Sequence, residues 1–112
     1  MRERADDMYQ ITKSDWKLFQ AKIADWQESY MERLAKEYIK LLSSPGNASS
    51  HFWELEKRIK QDKKHPGVML EMSKSEALWD IAILVKKKVI TMADLADFSD
   101  DLKEAVKLIL NR

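Results

Sequence analysis

The sequence predicts an all-α domain of four to five helices, and three observations carry that expectation. Apolar residues recur at helical spacing over long stretches, only two Gly and two Pro occur in 112 residues, and 35% of the chain is charged. Few breakers and many charges are the composition of a helix-rich, loop-poor protein. The expected arrangement is a small bundle in which one long N-terminal helix, about 13–43, packs on a central apolar helix at about 74–88. A chain of this length makes one domain. Residues 1–10 are expected to be a flexible N-terminal tail and 11–112 a single helical unit.

The long helix is the best-marked element. Trp16, Phe19, Ile23, Trp26, Tyr30, Leu34, Tyr38 and Leu41 fall within roughly 120° of arc at about 100° per residue. Five of these eight are aromatic, half of the ten aromatic residues in the chain. Thr12 is placed to cap the start, with Asp15 at the third helical position and Ile11 and Trp16 as a hydrophobic staple. Asp25 with Glu28 offers a second start inside the stretch, but the stripe crosses it without changing face, which favours one helix over two.

From Met31 a second apolar wing appears: Met31, Ala35, Ile39 and Leu42. The C-terminal half is therefore expected to touch neighbours on two sides and to be the strut on which helix 74–88 packs. At ~1.5 Å per residue the helix is ~45 Å long, more than the ~34 Å diameter of a compact chain this size. The N-terminal half, with its narrow ridge, is expected to carry aromatic surface that the chain cannot cover.

Ser43 to Ser50 reads as a linker. A second helix starts near Ser50 with a thin stripe of Phe52, Leu55 and Ile59 beside Trp53. It ends at His65-Pro66-Gly67, where proline restricts the preceding residue and glycine permits the turn. Val68 to Met72 is a short apolar connection. Ser73 with Glu76 forms a capping box that opens the third helix, apolar nearly all round until Lys86-Lys87-Lys88 and hence central. Thr91 with Asp94 starts a short helix to Phe98. Ser99 caps the last helix, whose apolar face is Leu102, Ala105, Val106, Ile109 and Leu110.

Chemistry finds little support. Cysteine is absent, which removes disulfides and thiolate nucleophiles and makes a reducing cytosol the expected location. No uncharged run is long enough to span a bilayer. The two histidines, His51 and His65, both lie next to expected helix ends, with no HExxH pattern. Carboxylates cluster at caps and on polar faces, where they are solvated. Asp80 is the exception, inside the most apolar helix, and an exposed edge is favoured there over a buried acid with a basic partner. No catalytic residue, cofactor or metal is expected.

Binding is the better-supported class. The foremost expectation is a protein-interaction module using Trp16, Phe19, Ile23 and Trp26, with a protein partner or a homodimer. The alternative is a nucleic-acid accessory protein with Lys57, Arg58, Lys60, Lys63 and Lys64 as phosphate contacts. Residues 46–90 hold nine Lys and Arg against six Asp and Glu. Yet Lys+Arg 20 against Asp+Glu 19 leaves the chain near neutral, and a solvated lysine face is the simpler reading of helix 51–64. The segments 93–98 and 100–110 have loose helix-turn-helix spacing, but Asp100, Asp101 and Glu104 would meet phosphates with the wrong sign.

Four stretches together resemble a small uncharacterised family of bacterial proteins of about this length. They are Asp15-Trp16-Lys17-Leu18-Phe19, Phe52 through Lys60, Lys63-Lys64-His65-Pro66-Gly67-Val68, and Asp94-Leu95 through Ser99, and the similarity runs from about Met8. The resemblance implies a small bacterial helical protein and carries no functional residue. Members are sometimes labelled multidrug transporters, a label at odds with the lack of a spanning segment.

Overall fold

The computed structural model describes residues 9–111, so most of the expected tail, and Arg112, lie outside the described residues. Four α-helices follow in order: α1 (Lys13–Ser43), α2 (Ala48–Asp62), α3 (Ala77–Lys86) and α4 (Asp100–Leu110). Single 3₁₀ turns stand at Lys74–Glu76 and Met92–Leu95, the second in place of the short helix expected before Phe98. No strand occurs among the described residues. The fold is all-helical, as expected.

α1 is one helix of 31 residues, so the start at Asp25 is not used. The Asp15 N–H donates to Thr12 Oγ1 at 3.0 Å, which satisfies one of the orphan donors of the first turn. α2 begins earlier than expected, because Asn47 is the cap: its Oδ1 accepts from the Ser50 N–H at 2.9 Å. Ser73 does not act as the cap read from the sequence. Its hydroxyl lies 3.4 Å from Ser75 Oγ instead, and the chain enters α3 through the first 3₁₀ turn. At the other two starts the expected chemistry is present. Thr91 N–H donates to Asp94 Oδ2 at 2.8 Å, and Leu102 N–H to Ser99 Oγ at 3.2 Å.

The core sits at one end of the molecule. Ala77, Leu78, Ile81, Ala82 and Leu84 of α3 meet Leu95 and Phe98 and the α4 residues Leu102, Ala105 and Val106. Phe19 of α1 is fully enclosed among them, and Trp16, Ile23 and Trp26 are half-buried against the same cluster. The bulkiest fully buried side chains, Phe19, Ile81, Leu84, Leu95, Leu102 and Val106, all belong to it. This lobe is therefore built on the N-terminal half of α1.

That reverses the roles expected for the two halves. The C-terminal half is not the strut for α3; it leaves the lobe and pairs antiparallel with α2 as a two-helix arm. Only Leu34 is buried in that half, and α2 has no buried residue at all. The arm makes the molecule long, with extents of 54 × 31 × 21 Å and a radius of gyration of 17.2 Å, against about 13 Å for a compact chain of this length. The physical reason is numerical: α3, α4 and the 92–95 turn converge on the first half, while the second half has α2 alone.

One joint ties arm to lobe. Tyr30 stacks on His65 with centroids 4.4 Å apart and planes 7° from parallel. Gln27 Nε2 donates to the Pro66 carbonyl at 2.9 Å, and Arg33 donates to the Lys88 carbonyl at 2.7 Å. Gly67 is required here, since a Cβ at this position would lie 2.3 Å from Tyr30 Cδ2.

Candidate functional site

The arm carries the largest run of uncovered apolar side chains among the described residues. On α1, Met31, Ile39 and Leu42 are 46%, 63% and 48% exposed, and on α2, Phe52, Trp53 and Ile59 are 61%, 64% and 37% exposed. Met31, Ile39 and Leu42 lie within about 80° of arc, displaced to one side of the ridge that faces α2. Phe52 and Ile59 lie within about 20° of each other, displaced in the same sense from Leu55, which faces α1. In an antiparallel pair those displacements bring both sets to the same flank of the hairpin. Trp53 borders the flank, its ring edge-on to Phe52 at 4.9 Å.

The opposite flank and the interior of the arm hold its polar contacts. Arg58 pairs with Glu37 at 2.8 Å and with Asp62 at 3.7 Å. Tyr38 donates its hydroxyl to Asp62 and lies under the Arg58 guanidinium. Burial and that bond to a carboxylate push the Tyr38 hydroxyl up to about 12. These groups fix the register of α1 against α2 without adding apolar cover.

The aromatic residues expected to be the interface are core instead. Phe19 is 0% exposed. Its ring lies 6.1 Å from Trp16 and 6.2 Å from Trp26, and Trp26 in turn lies 6.1 Å from Phe98. Trp16, Phe19, Ile23 and Trp26 are thus covered by α3, α4 and the 92–98 segment and offer no continuous free face. The uncovered wing, Met31, Ile39 and Leu42, was legible as apolar. The missed signal lay in α2, whose thin Phe52–Leu55–Ile59 stripe is too narrow to cover two apolar faces of α1.

The five basic residues of the alternative do not form one row. Arg58 is taken up by Glu37 and Asp62, and Lys60 pairs with Glu56 at 3.0 Å. Lys57, Lys63 and Lys64 remain exposed. His51 lies near Ser44 at the arm's tip, and His65 in the joint, so the two histidines are not brought together.

Two polar features differ from their reading in the sequence. Asp15 is buried, and its carboxylate accepts from the Ser99 N–H at 3.0 Å, from the Ser99 hydroxyl, and from Tyr9 Oη at 3.4 Å. It therefore joins the first turn of α1 to the N-terminus of α4, where the helix dipole favours negative charge. Burial and the Asp15 carboxylate push the Tyr9 hydroxyl up to about 12.

Asp80 is half-buried rather than on an exposed edge. One carboxyl oxygen is enclosed with no hydrogen-bond partner among the described residues. Burial first, and Glu76 one turn earlier second, push its carboxyl up to about 6. An open pocket of about 590 Å³ lies nearby, lined by residues that include Tyr9, Ile11, Glu76 and Trp79, but Asp80 is not among them.

Comparison with protein-family models, with curated proteins and with solved structures returns no match for this chain. No helix among the described residues is long and apolar enough to cross a membrane.

Proposed function

We propose that this chain is a protein-interaction module that self-associates through the apolar flank of its helical arm. The observation that carries the reading is the run Met31, Ile39, Leu42, Phe52, Trp53 and Ile59, all more than one-third exposed on a hairpin with one side open. Together they expose on the order of 600 Å², at the upper end for the largest apolar patch of a monomer. The area approaches the ~800 Å² that each partner contributes to a standard interface.

A second copy is the occupant that fits. Two hairpins meeting flank to flank complete a four-helix bundle, and a two-fold axis makes the same patch serve both copies. The rim supports this, because acids and bases balance beside the flank: Glu28, Glu32 and Lys36 on α1, and Glu56 and Lys60 on α2 with Lys63 at its C-cap. A rim of balanced sign faces its own copy without net repulsion. A cytosolic location accords with the cysteine-free composition.

Sedimentation velocity over a concentration series tests the reading. The parent is expected to move from monomer to dimer with concentration, and Ile39→Glu with Phe52→Ser to stay monomeric with an unchanged circular dichroism spectrum. A parent that is monomeric up to about 1 mM, the limit of very weak association, would overturn it.

A further inference from the structure

We infer that the joint between arm and lobe is a docking site for the phosphate backbone of a nucleic acid, assembled from Arg33, Lys63, Lys64 and Lys86 to Lys88. The two lysine runs are more than twenty residues apart in the chain, and the fold brings them together. Arg33 of α1 donates to the carbonyl of Lys88 at 2.7 Å. His65, which follows Lys64, lies against Lys87: burial first, then the charge of Lys87 and more weakly that of Arg33, push its imidazole down against the opposing charge of Asp62.

The cations are available. Arg33 and all five lysines are exposed, and none of the lysines makes an ion pair among the described residues. The acids beside them already have partners: Asp62, whose charge reaches His65 and Tyr30, accepts from Tyr38 and pairs with Arg58, and Glu37 also pairs with Arg58. Gathering six like charges opposes folding, and that opposition is relieved when condensed counterions on a polyanion are exchanged for them.

Lys88 adds a separate observation. It holds φ at 64°, the left-handed region, and is the one non-glycine residue to do so among those described. The Val89 and Ile90 N–H groups both return to the Leu84 carbonyl around it, at 2.9 and 3.3 Å. Glycine is the usual residue at such a helix end, and a side chain there costs about 1 kcal/mol. A lysine at this cost is backbone strain beside a charge cluster, the kind of outlier that points to function.

The geometry selects the ligand class. The cations extend along the joint on three segments rather than converging on a point, which suits a row of phosphates better than one small anion. Tyr30 is flanked by the His65 ring and the Arg33 guanidinium, so it is not free to stack a base, and the contact reads backbone rather than sequence. Arg33 stands nine residues from Leu42, half a revolution away on α1. Lys63, four residues after Ile59, stands near the edge of the apolar flank, whereas Arg33 points away from Leu42, so the cations do not gather as a set on the flank as a membrane surface would require. The site is independent of the self-association proposed above.

Fluorescence anisotropy with a labelled duplex oligonucleotide tests the site on the full chain. Binding at low ionic strength is expected to weaken linearly in log salt with a slope of about −5. Lys86→Glu with Lys87→Glu is expected to lower affinity at least about tenfold and to reduce the slope by roughly one per cation removed. Lys88→Gly should weaken binding while raising the melting temperature, which separates loss of the site from loss of fold. Phe52→Ser should bind as the parent does, even if association fails. Absence of binding at low salt, equal loss in Lys57→Glu with Lys60→Glu, or capture by phosphatidylserine vesicles without binding to the oligonucleotide would each overturn the inference.

Discussion

The two halves of α1 carry similar amounts of apolar side chain and meet different fates. The first half presents Trp16, Phe19, Ile23 and Trp26 to α3, α4 and the 92–98 segment, and Phe19 is enclosed completely. The second half carries Met31, Leu34, Ile39 and Leu42 with α2 as its one helical neighbour, and only Leu34 is buried. Burial is thus set by how many elements converge on a stretch rather than by how apolar the stretch is. The lobe holds the fold, and the arm is where surface is left over.

The contrast can be broken most severely in the lobe. Phe19→Ala removes a fully enclosed ring from between Trp16, Trp26 and the α3–α4 core and is expected to cost about 3–5 kcal/mol. Chemical denaturation at constant m-value checks this. Next in size is Asp15→Ala, which strips the acceptor from the Ser99 N–H and hydroxyl and from Tyr9. A loss of about 2–3 kcal/mol is expected, because charge-assisted bonds are lost and donors are stranded. Hydrogen exchange should show early opening at the start of α4.

Asp80 gives a pH-dependent contrast. Its carboxyl titrates near 6 when folded against an ordinary value of 3.8, so the folded chain binds the proton more tightly than the unfolded one. The stability it contributes is complete below about pH 4 and is lost as pH rises through about 6. Asp80→Asn removes that loss. The variant is expected to be about 1–2 kcal/mol more stable than the parent at pH 7 and level with it below about pH 4, which thermal melts across that range would read.

The smallest effect on folding belongs to the arm. Phe52→Ser, at a side chain 61% exposed, should change stability by no more than about 0.5 kcal/mol. The same substitution is expected to abolish self-association in sedimentation. A large stability loss with unchanged association would show that the flank is arm core and not interface.

Much of the fold was readable before the structure. The caps at Thr12, Thr91 and Ser99, the unbroken helix through Asp25 and the buried centre at Leu78, Ile81 and Ala82 follow from local patterns that do not depend on neighbours. Asp15 was legible as a first-turn acid, but not as the partner of Ser99, because a contact 84 residues away in sequence leaves no periodic mark. The candidate site was least legible. Helical periodicity identified Met31, Ile39 and Leu42 as apolar, and nothing in it said that α3 would go to the other half of α1.

The sequence by itself therefore determined which segments are helical, the caps at Thr12, Thr91 and Ser99, and which face of each helix is apolar, since propensity, capping and periodicity act within a few residues. Only the tertiary structure decided which apolar face is covered. It also decided which charges are free, drawing Arg58 to Glu37 and Lys60 to Glu56 while bringing Arg33 to Lys88. Those choices depend on the competition among α2, α3 and α4 for one long helix, and that competition is settled only when the elements pack.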